Sequence, residues 1–469
     1  MIFASLLFLF IFLPLNLILY FSIPSIKAKN AVLITFSLLF YAWGEPIWVI
    51  LLVLTAFLDY NNAKLIEKYR GSKRATMFLL LTIVVDIGIF AVFKYSGFFI
   101  SNLNTIPFIN LPVPKFNLPV GISFYTFQTL TYVIDVYRGK LSAQPKFSKY
   151  LLYLSLYFQL VAGPIVRYSD VAKEIEHRNL SVPRFSNGIY RFATGLGKKV
   201  IIANAAGVFV DRYMTGSVEG LTTLGAWLGI IMYTIQLYFD FSGYSDMAIG
   251  LGKMFGFDFP ENFNYPYISK SVSEFWRRWH ITLGSFFRDY VYIPLGGNRS
   301  KVYRNLFIVW FLTGFWHGAN WNYIIWGLYN GLFIMMERAT KPVFEKIPGP
   351  IKHIYLLLVV NIGFVFFKFT NIIDALEYIK VLFGGGCSFT DLNVNMQISN
   401  NIFWLLLAFI LCTPIMKKLE DLYIRAHRGP NAVSISFNVI RTTLILILII
   451  FSSAHLTGNS FNPFLYNAF

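Results

Sequence analysis

The chain has 469 residues, of which 56% are hydrophobic and only 13% are charged. Soluble globular proteins carry about 25% charged residues, so this composition excludes an ordinary soluble domain and indicates a membrane protein. The formal net charge is +17, but the basic residues are scattered through short polar loops beside apolar segments. There they orient a membrane protein and contact anionic headgroups, so the charge does not indicate nucleic-acid binding.

Apolar segments recur along the chain, and several approach the ~20 residues that a helix needs to cross the hydrocarbon core. Examples are 2–23, 75–99, 221–243 and 442–453 with its flanks. The first segment lacks a basic N-terminal region and an Ala-x-Ala cleavage site. We therefore expect it to persist as a helix and not to be a removed signal peptide.

The distribution of Lys and Arg predicts the topology, since cytoplasmic loops carry an excess of these residues. The loops expected inside are 64–74, 138–149, 167–184, 338–352 and 417–428, and those expected outside are 101–117 and 371–401. This pattern predicts about eleven or twelve crossings with both termini external. Residues 151–164 are apolar but have basic loops on both sides, so we expect them to be re-entrant or to lie in the membrane plane.

Residues 253–304 are too basic to span, and we expect a cytoplasmic-side or re-entrant element there. Gly and Pro in 119–128 and 159–164 are typical of broken helices that line a cavity. The sequence shows no repeat of fixed period and no flexible linker. We therefore predict an all-α membrane protein with a single domain over 1–469, a polytopic helical bundle with re-entrant elements around a tunnel.

His317 follows an apolar segment of about a dozen residues, which is too short to cross before the histidine is reached. The imidazole is therefore expected at depth, where ionisable groups are costly and commonly functional. It can exchange protons with a hydroxyl as a general base and acid. The alternative is a packing histidine that hydrogen-bonds across helices. The neighbouring Gly314 and Gly318 would admit either a substrate or another helix.

Residues 274–280 hold a second group of candidates. On a helix, Trp276 and His280 share a face at i, i+4, and Arg277 reaches the same face. An imidazole, an aromatic ring and a guanidinium together suit a phosphate-bearing or adenine-bearing ligand. The alternative is that Arg277 and Arg278 anchor the element at the headgroups while the tryptophans form an interfacial belt.

Asp240 and Asp246 end an apolar crossing near the cytoplasmic membrane edge. We expect Asp240 to pair with an arginine of the basic region, and substrate binding is the alternative. The sequence contains no Walker loop, nucleophile elbow, zinc-protease motif or Rossmann glycine pattern. Nucleotide hydrolysis, serine hydrolysis and zinc chemistry therefore have no support, and we expect no metal site.

Four ordered motifs resemble those of the membrane-bound O-acyltransferase family, and within it the bacterial alginate O-acetyltransferase type. They are FDFSGYSD at 239–246, FWRRWH at 275–280, RDY with YIPLGG at 288–297, and WHG at 316–318. The resemblance also covers 119–139 and 159–167, and it thins beyond about residue 340. It implies a tunnel through the bilayer, a thioester donor on the cytoplasmic side and release of the acyl group outside.

The resemblance also implies roles for individual residues. His317 matches the essential histidine of the family and is expected to act as general base on an acceptor hydroxyl. His280 matches the second active-site position and is expected to orient or polarise the thioester. We expect Asn320 to help fix the tautomer of His317. The residues expected to bind the donor are Trp276, Arg277 and Arg278.

We therefore expect an O-acyltransferase of the bacterial cytoplasmic membrane that serves O-acetylation of an extracytoplasmic polysaccharide or cell-wall glycan. The donor would be acetyl-coenzyme A or an acyl-carrier thioester, with no permanently bound cofactor. The implied helpers are an external acyltransferase of the SGNH type and a small single-span peptide. The alternatives are D-alanyl transfer to teichoic acid from a carrier protein and, from another class, a glycan or lipid-linked precursor transporter. A transporter of this kind is expected to have two halves of matching hydropathy, which the sequence does not show.

Overall fold

The computed structural model describes residues 1–216, 218–426 and 432–458, and the regular elements within these ranges are helices. The all-α class is therefore confirmed. The described residues form two compact units, one made of Met1–Phe192 with Tyr244–Glu261 and the other of Ala193–Gly243 with the chain from Asn262 onward. Neither unit is a contiguous segment, because the chain passes from one to the other after residues 192, 243 and 261.

The first unit opens with a π-helix, Phe8–Phe12, that continues into the first α-helix. Its α-helices are α1 (Leu13–Ser22), α2 (Ile26–Gly44), α3 (Trp48–Lys68), α4 (Lys73–Leu103), α5 (Ile122–Tyr137), α6 (Phe147–Ser155), α7 (Tyr157–Leu160) and α8 (Tyr168–Glu176). The next helices are α9 (Val182–Gly197), α10 (Asn204–Tyr213) and α11 (Thr223–Phe255), of which α9 and α11 have residues in both units.

The second unit contains the remaining helices. They are α12 (Val272–Arg278), α13 (Ile281–Phe287), α14 (Val302–His317), α15 (Trp321–Ala339), α16 (Lys341–Phe344), α17 (Gly349–Lys368), α18 (Ile372–Lys380), α19 (Leu392–Asn400), α20 (Ile402–Leu411), α21 (Ile415–Ala426) and α22 (Ala432–Gly458). Arg428, which belongs to the loop expected last on the inside, lies outside the described residues.

Six helices of the described chain are long and apolar enough to cross a membrane, and the count becomes seven if α19 and α20, bent by 63°, form one span. The six are Trp48–Lys68, Lys73–Leu103, Val182–Tyr213, Thr223–Phe255, Gly349–Lys368 and Val439–Gly458. This count indicates a multi-pass membrane protein. It is lower than the eleven or twelve crossings expected, because several apolar segments are divided into helices too short to qualify.

Residues 151–164 are one such divided segment. They fall in α6, which has 9 residues, and α7, which has 4, and both helices are largely buried. Neither helix can cross the hydrocarbon core alone, as expected. Gly121, which begins α5 with φ of 80°, has no room for a side chain because a Cβ atom there would collide with the Leu160 carbonyl. Glycine at this position therefore permits the close approach of two broken segments.

The basic region 253–304 forms no helix long enough to span, also as expected. After the end of α11 it contains a 3₁₀ turn at Pro266–Ile268, then α12 and α13, and then a π-helix at Arg288–Tyr292. These short helices change the chain direction repeatedly. They therefore bring residues from separate turns to one place, which a single straight helix could not do.

Helices α14 and α15 pack closely against each other. A Cβ atom on Gly327 would lie 2.9 Å from the Gly314 Cα atom, and one on Gly318 would collide with the Tyr323 ring. Of the two uses expected for Gly314 and Gly318, admission of another helix is the one observed. Backbone contact at small residues is a common basis of helix packing in membranes. It fixes the end of α14, where His317 lies.

Candidate active site

Two buried histidines, His280 and His317, line one cavity of about 300 Å³ within the second unit. This volume lies at the lower end of the ~300–1,000 Å³ typical of small-molecule sites. Much of the wall is aromatic or aliphatic, and its polar residues include Arg277, Arg288 and Tyr292. An apolar wall with a few polar groups is the usual composition of a ligand pocket.

His280 lies between α12 and α13 in a left-handed backbone conformation, with φ of 45° and ψ of 55°. This conformation is costly for a residue with a side chain, and such residues are concentrated at functional sites. Because α12 ends at Arg278, the i, i+4 helical face expected for Trp276 and His280 does not form. That prediction of geometry is wrong, yet the helix break still leaves both side chains on the wall of one cavity.

Asn262 determines which nitrogen of His280 carries the proton. The Nδ1 atom lies 3.0 Å from Asn262 Oδ1, and the same oxygen accepts hydrogen bonds from the Thr282 backbone N–H at 3.4 Å and the Thr282 hydroxyl at 2.9 Å. Since a backbone N–H can only donate, Asn262 presents its carbonyl oxygen, and His280 must donate through Nδ1–H. In the neutral ring, Nε2 then carries the lone pair, and it has no hydrogen-bond partner within the described chain.

Burial also keeps this imidazole neutral. His280 lies outside the helices that are long enough to span, and desolvation lowers its pKa to about 3, because burial disfavours the imidazolium. The ring therefore offers a hydrogen-bond acceptor at neutral pH. Polarising a thioester carbonyl requires a donor, so of the two roles expected for His280 this tautomer suits orientation and not polarisation.

His317 is the last residue of α14 and is 3% exposed. Its ring meets those of Trp326 and Phe367 edge to face, at centroid distances of 4.9 and 5.2 Å. Trp316 adds a third contact at 4.9 Å. The aromatic rings restrain the plane of the imidazole by contact. His317 is therefore buried within the protein, and the cavity gives it access to a ligand.

Trp276 and Arg277 both line the histidine cavity. The Trp276 Nε1–H donates to Asn330 Oδ1 at 3.1 Å, and its ring packs edge to face on Trp310 at 5.1 Å. Arg277 is exposed, with Nε donating to the Ser273 carbonyl at 3.1 Å. Trp276 is therefore a rigid part of the wall, whereas Arg277 retains N–H donors that can pair with an anion.

Arg278 is not among the residues that line the histidine cavity. It forms an ion pair with Glu274 at 2.9 Å and donates to the Asn264 carbonyl at 3.2 Å. The contact with Asn264 holds α12 against the loop that contains Asn262 and Asn264, whereas Glu274 lies on α12 itself. Arg278 therefore lies apart from Arg277, because successive residues of a helix point about 100° apart.

Glu337 was not identified from the sequence, although it anchors the helix that carries Trp276. Its buried carboxylate accepts hydrogen bonds from the backbone N–H groups of Val272 at 2.6 Å and Ser273 at 3.1 Å. A carboxylate at a helix N-terminus satisfies N–H groups that lack partners inside the helix. The sequence did contain a signal, namely an acidic residue near the end of the apolar helix α15. The basic residues that follow it made Glu337 look like part of a polar loop.

Two other predicted site residues have structural contacts away from the histidine cavity. Asp240 is buried in an ion pair with Lys199 and not with an arginine of 253–304. Asn320 caps α15, since its Oδ1 accepts from Asn322 N–H at 2.8 Å and its Nδ2 donates to the Thr370 carbonyl at 3.0 Å. The Oδ1 and Nδ2 atoms of Asn320 are thus bonded to Asn322 and Thr370, and the side chain does not orient His317.

The amino-acid sequence matches a known protein family. Residues 138–373 match the model of MBOAT, the membrane-bound O-acyltransferase family. The probable alginate O-acetylase AlgI of Pseudomonas putida is 39% identical across 100% of both chains. The peptidoglycan O-acetyltransferase of Helicobacter pylori is 36% identical over 82% of this chain and 80% of its own. The teichoic acid D-alanyltransferase of Bacillus subtilis is 31% identical over 56% of this chain and 72% of its own.

The family match covers the segments that supply the two histidines and Asn262. The resemblance inferred from the four sequence motifs is therefore confirmed. This multi-pass protein is an O-acyltransferase and belongs to the membrane-bound O-acyltransferase family.

Proposed function

We propose that the protein transfers an acetyl group from a cytoplasmic thioester donor for O-acetylation of an extracytoplasmic polysaccharide or cell-wall glycan. The observation that carries the proposal is the single cavity lined by both His280 and His317. Relatives named as an alginate O-acetylase and a peptidoglycan O-acetyltransferase, each matching most or all of this chain, favour acetyl and a glycan. Both relatives are bacterial, which favours a bacterial cytoplasmic membrane.

In the proposed reaction, His317 takes the proton of an acceptor hydroxyl while the hydroxyl oxygen attacks the thioester carbonyl carbon. The carbon–sulfur bond breaks, and the proton passes from His317 to the departing thiolate, so that an ester and a free thiol result. General base catalysis of this kind contributes about 10²–10⁴-fold to a rate. The Nε2 atom of His280 accepts a hydrogen bond from an N–H or O–H group of the acyl donor or of the acyl acceptor. This hydrogen bond orients the substrate.

The donor is proposed to be acetyl-coenzyme A or an acetylated carrier protein, whose phosphate groups would meet the exposed guanidinium of Arg277. An arginine can pair with phosphate through two parallel hydrogen bonds. Trp276 would form the apolar wall beside the acyl chain. An SGNH-type acyltransferase and a single-span peptide are proposed as partners that place the acetyl group on the polymer.

The test measures transfer of labelled acetyl groups from acetyl-coenzyme A to exported glycan, in membranes containing the full-length protein. His317→Ala is expected to abolish detectable transfer at unchanged expression. His177→Ala, which alters an exposed histidine of the first unit, serves as the matched control and is expected to retain it. Normal acetylation with His317→Ala would overturn the mechanism.

The same assay distinguishes the donor and the acyl group. Transfer from acetyl-coenzyme A without any carrier protein supports the acetyl proposal directly. Transfer of D-alanine from a charged carrier protein, with none of acetyl, would contradict it and support D-alanyl transfer. The D-alanyl relative matches only 56% of this chain, which is why we place acetyl first.

A further inference from the structure

The first unit contains a second cluster of buried ionisable groups, which acyl transfer does not use. Asp59 of α3 and Asp86 of α4 are 2% and 6% exposed and line a common cavity. Both helices are candidate membrane spans. Carboxylates inside membrane spans are costly and commonly mark a functional site.

Neither carboxylate is neutralised by a basic side chain. Among residues 1–216, 218–426 and 432–458, neither Asp59 nor Asp86 forms an ion pair, and the Oδ2 atom of each makes no hydrogen bond. Lys94, which lies on α4 with Asp86, donates to the Ser123 hydroxyl at 3.4 Å. Two adjacent carboxylates without a counter-charge are unstable in a medium of low dielectric constant. They therefore require either bound protons or a bound cation.

Tyr125 provides independent evidence for a ligand at this position. Its side chain lines the same cavity from α5 and is 3% exposed, yet its hydroxyl makes no hydrogen bond within the described chain. Buried hydroxyls in native proteins are almost always hydrogen-bonded or coordinated. A buried phenol oxygen without a hydrogen bond, in a cavity also lined by two carboxylates, thus indicates a ligand in that cavity.

The lining of the cavity matches a metal cation that prefers oxygen ligands. Six of its eight lining residues carry side-chain oxygen atoms. These six are Thr55, Asp59, Asp86, Tyr125, Thr126 and Thr129. The Thr55 hydroxyl donates to the Leu51 and Leu52 carbonyls at 3.0 and 3.1 Å, so its oxygen lone pairs remain for a cation. Hard cations such as Ca²⁺ take several such oxygens in flexible geometry.

The size of the cavity restricts the ion. Its volume of about 10 Å³ corresponds to a single water-sized site. Mg²⁺ usually retains several water ligands, for which there is no space. We propose that Asp59, Asp86 and Tyr125 bind one dehydrated cation of the calcium or sodium type, held by α3, α4 and α5 of the first unit.

The experiment measures thermal unfolding of the purified full-length protein, stripped of metal and exchanged into choline chloride. Addition of CaCl₂ or NaCl is expected to raise the unfolding midpoint saturably by roughly 5 °C, since a ligand stabilises the state that binds it. MgCl₂ and KCl at matched ionic strength are the comparisons. Either the calcium or the sodium response supports the site and identifies its ion.

Asp59→Asn and Asp86→Asn are each expected to abolish the cation response, and Tyr125→Phe is expected to weaken it. The matched control is Asp135→Asn, which alters another buried acid of the first unit that does not line the cavity and is expected to keep the response. Binding of ⁴⁵Ca²⁺ or ²²Na⁺ to the wild-type protein, at one ion per chain, tests the site without relying on the variants.

Two results would overturn the inference. One is a midpoint that depends on pH but not on calcium or sodium, which would mean that the two carboxyls hold protons. The other is an unchanged cation response in Asp59→Asn and Asp86→Asn. Because the readout is stability and ion binding, both results are independent of whether the protein transfers acetyl groups.

Discussion

The cavity of the two histidines and the cavity of the two aspartates each bring buried ionisable groups together, but their volumes are about 300 and about 10 Å³. In the larger cavity, burial holds His280 neutral and the Asn262 amide sets its tautomer, so no counter-charge is required. In the smaller cavity, six of the eight lining residues carry side-chain oxygen atoms, and two of these residues are carboxylates. Volume and charge together distinguish the proposed site for reactants from the proposed site for a single ion.

The largest expected effect comes from His317→Ala, which tests whether acetyl transfer and cation binding depend on different cavities. His317→Ala should lower acetyl transfer by about 10²–10⁴-fold, the range for loss of a general base, while the calcium or sodium response of unfolding stays intact. Asp59→Asn should do the reverse. Both are measured on the same preparations by labelled acetyl transfer and thermal unfolding. Loss of both readouts in either variant would mean that the cavities are not independent.

Lys199 and Asp240 form a third buried charged group, in which the protein supplies its own counter-charge. Asp240→Asn removes the carboxylate from an ammonium that is 4% exposed, and we expect the free energy of unfolding to fall by about 3–5 kcal/mol. Acetyl transfer per folded molecule should be unchanged. Normal stability combined with lost transfer would instead return Asp240 to the substrate site.

Substitutions of Asn262 test whether acetyl transfer depends on the tautomer of His280. Asn262→Leu removes the acceptor for Nδ1–H and should reduce acetyl transfer by roughly 10–100-fold, the range for residues that orient metal-binding histidines. Asn262→Asp should retain the tautomer but favour the imidazolium, because a carboxylate raises the pKa of the adjacent ring. As the pH is lowered, the Asn262→Asp variant should therefore lose activity at a higher pH than the wild type does.

A purely packing role for Asn262 makes a different prediction. In that case Asn262→Leu and Asn262→Asp would change stability and leave the shape of the pH–rate profile as it is in the wild type. Asn264→Ala is the matched control, since Asn264 lies in the same loop and its backbone, not its side chain, bonds Arg278.

The smallest expected effect is at Asn320. Asn320→Ala removes the cap of α15 and should lower the free energy of unfolding by about 1 kcal/mol, with acetyl transfer per folded molecule retained. Asn320→Asp can still accept from Asn322 N–H and should recover much of the stability. A large loss of transfer without loss of stability would support the role in orienting His317 that the contacts of Asn320 do not.

Composition and motif order were sufficient for the class of protein, since few charges and long apolar segments leave little besides membrane helices, and four ordered motifs specify a family. His317 was identified because an imidazole in an apolar segment stands out. Asp86 carried the same signal within the apolar segment 75–99, and Asp59 carried it in α3, but neither was recognised. A charge in a single apolar span has no evident partner until a second helix is placed beside it.

The amino-acid sequence was sufficient to identify an all-α membrane protein of an acyltransferase family and to select His317 as a candidate, because hydrophobicity and local motifs are properties of short segments. The contacts of the individual site residues became visible only in the folded structure. It replaced the expected helical face at 276–280 with a break at His280, assigned Asn262 to that histidine, paired Asp240 with Lys199 and used Asn320 as a cap. Each of these contacts depends on hydrogen-bond geometry between residues distant in the chain or on a local backbone conformation, and helical periodicity specifies neither.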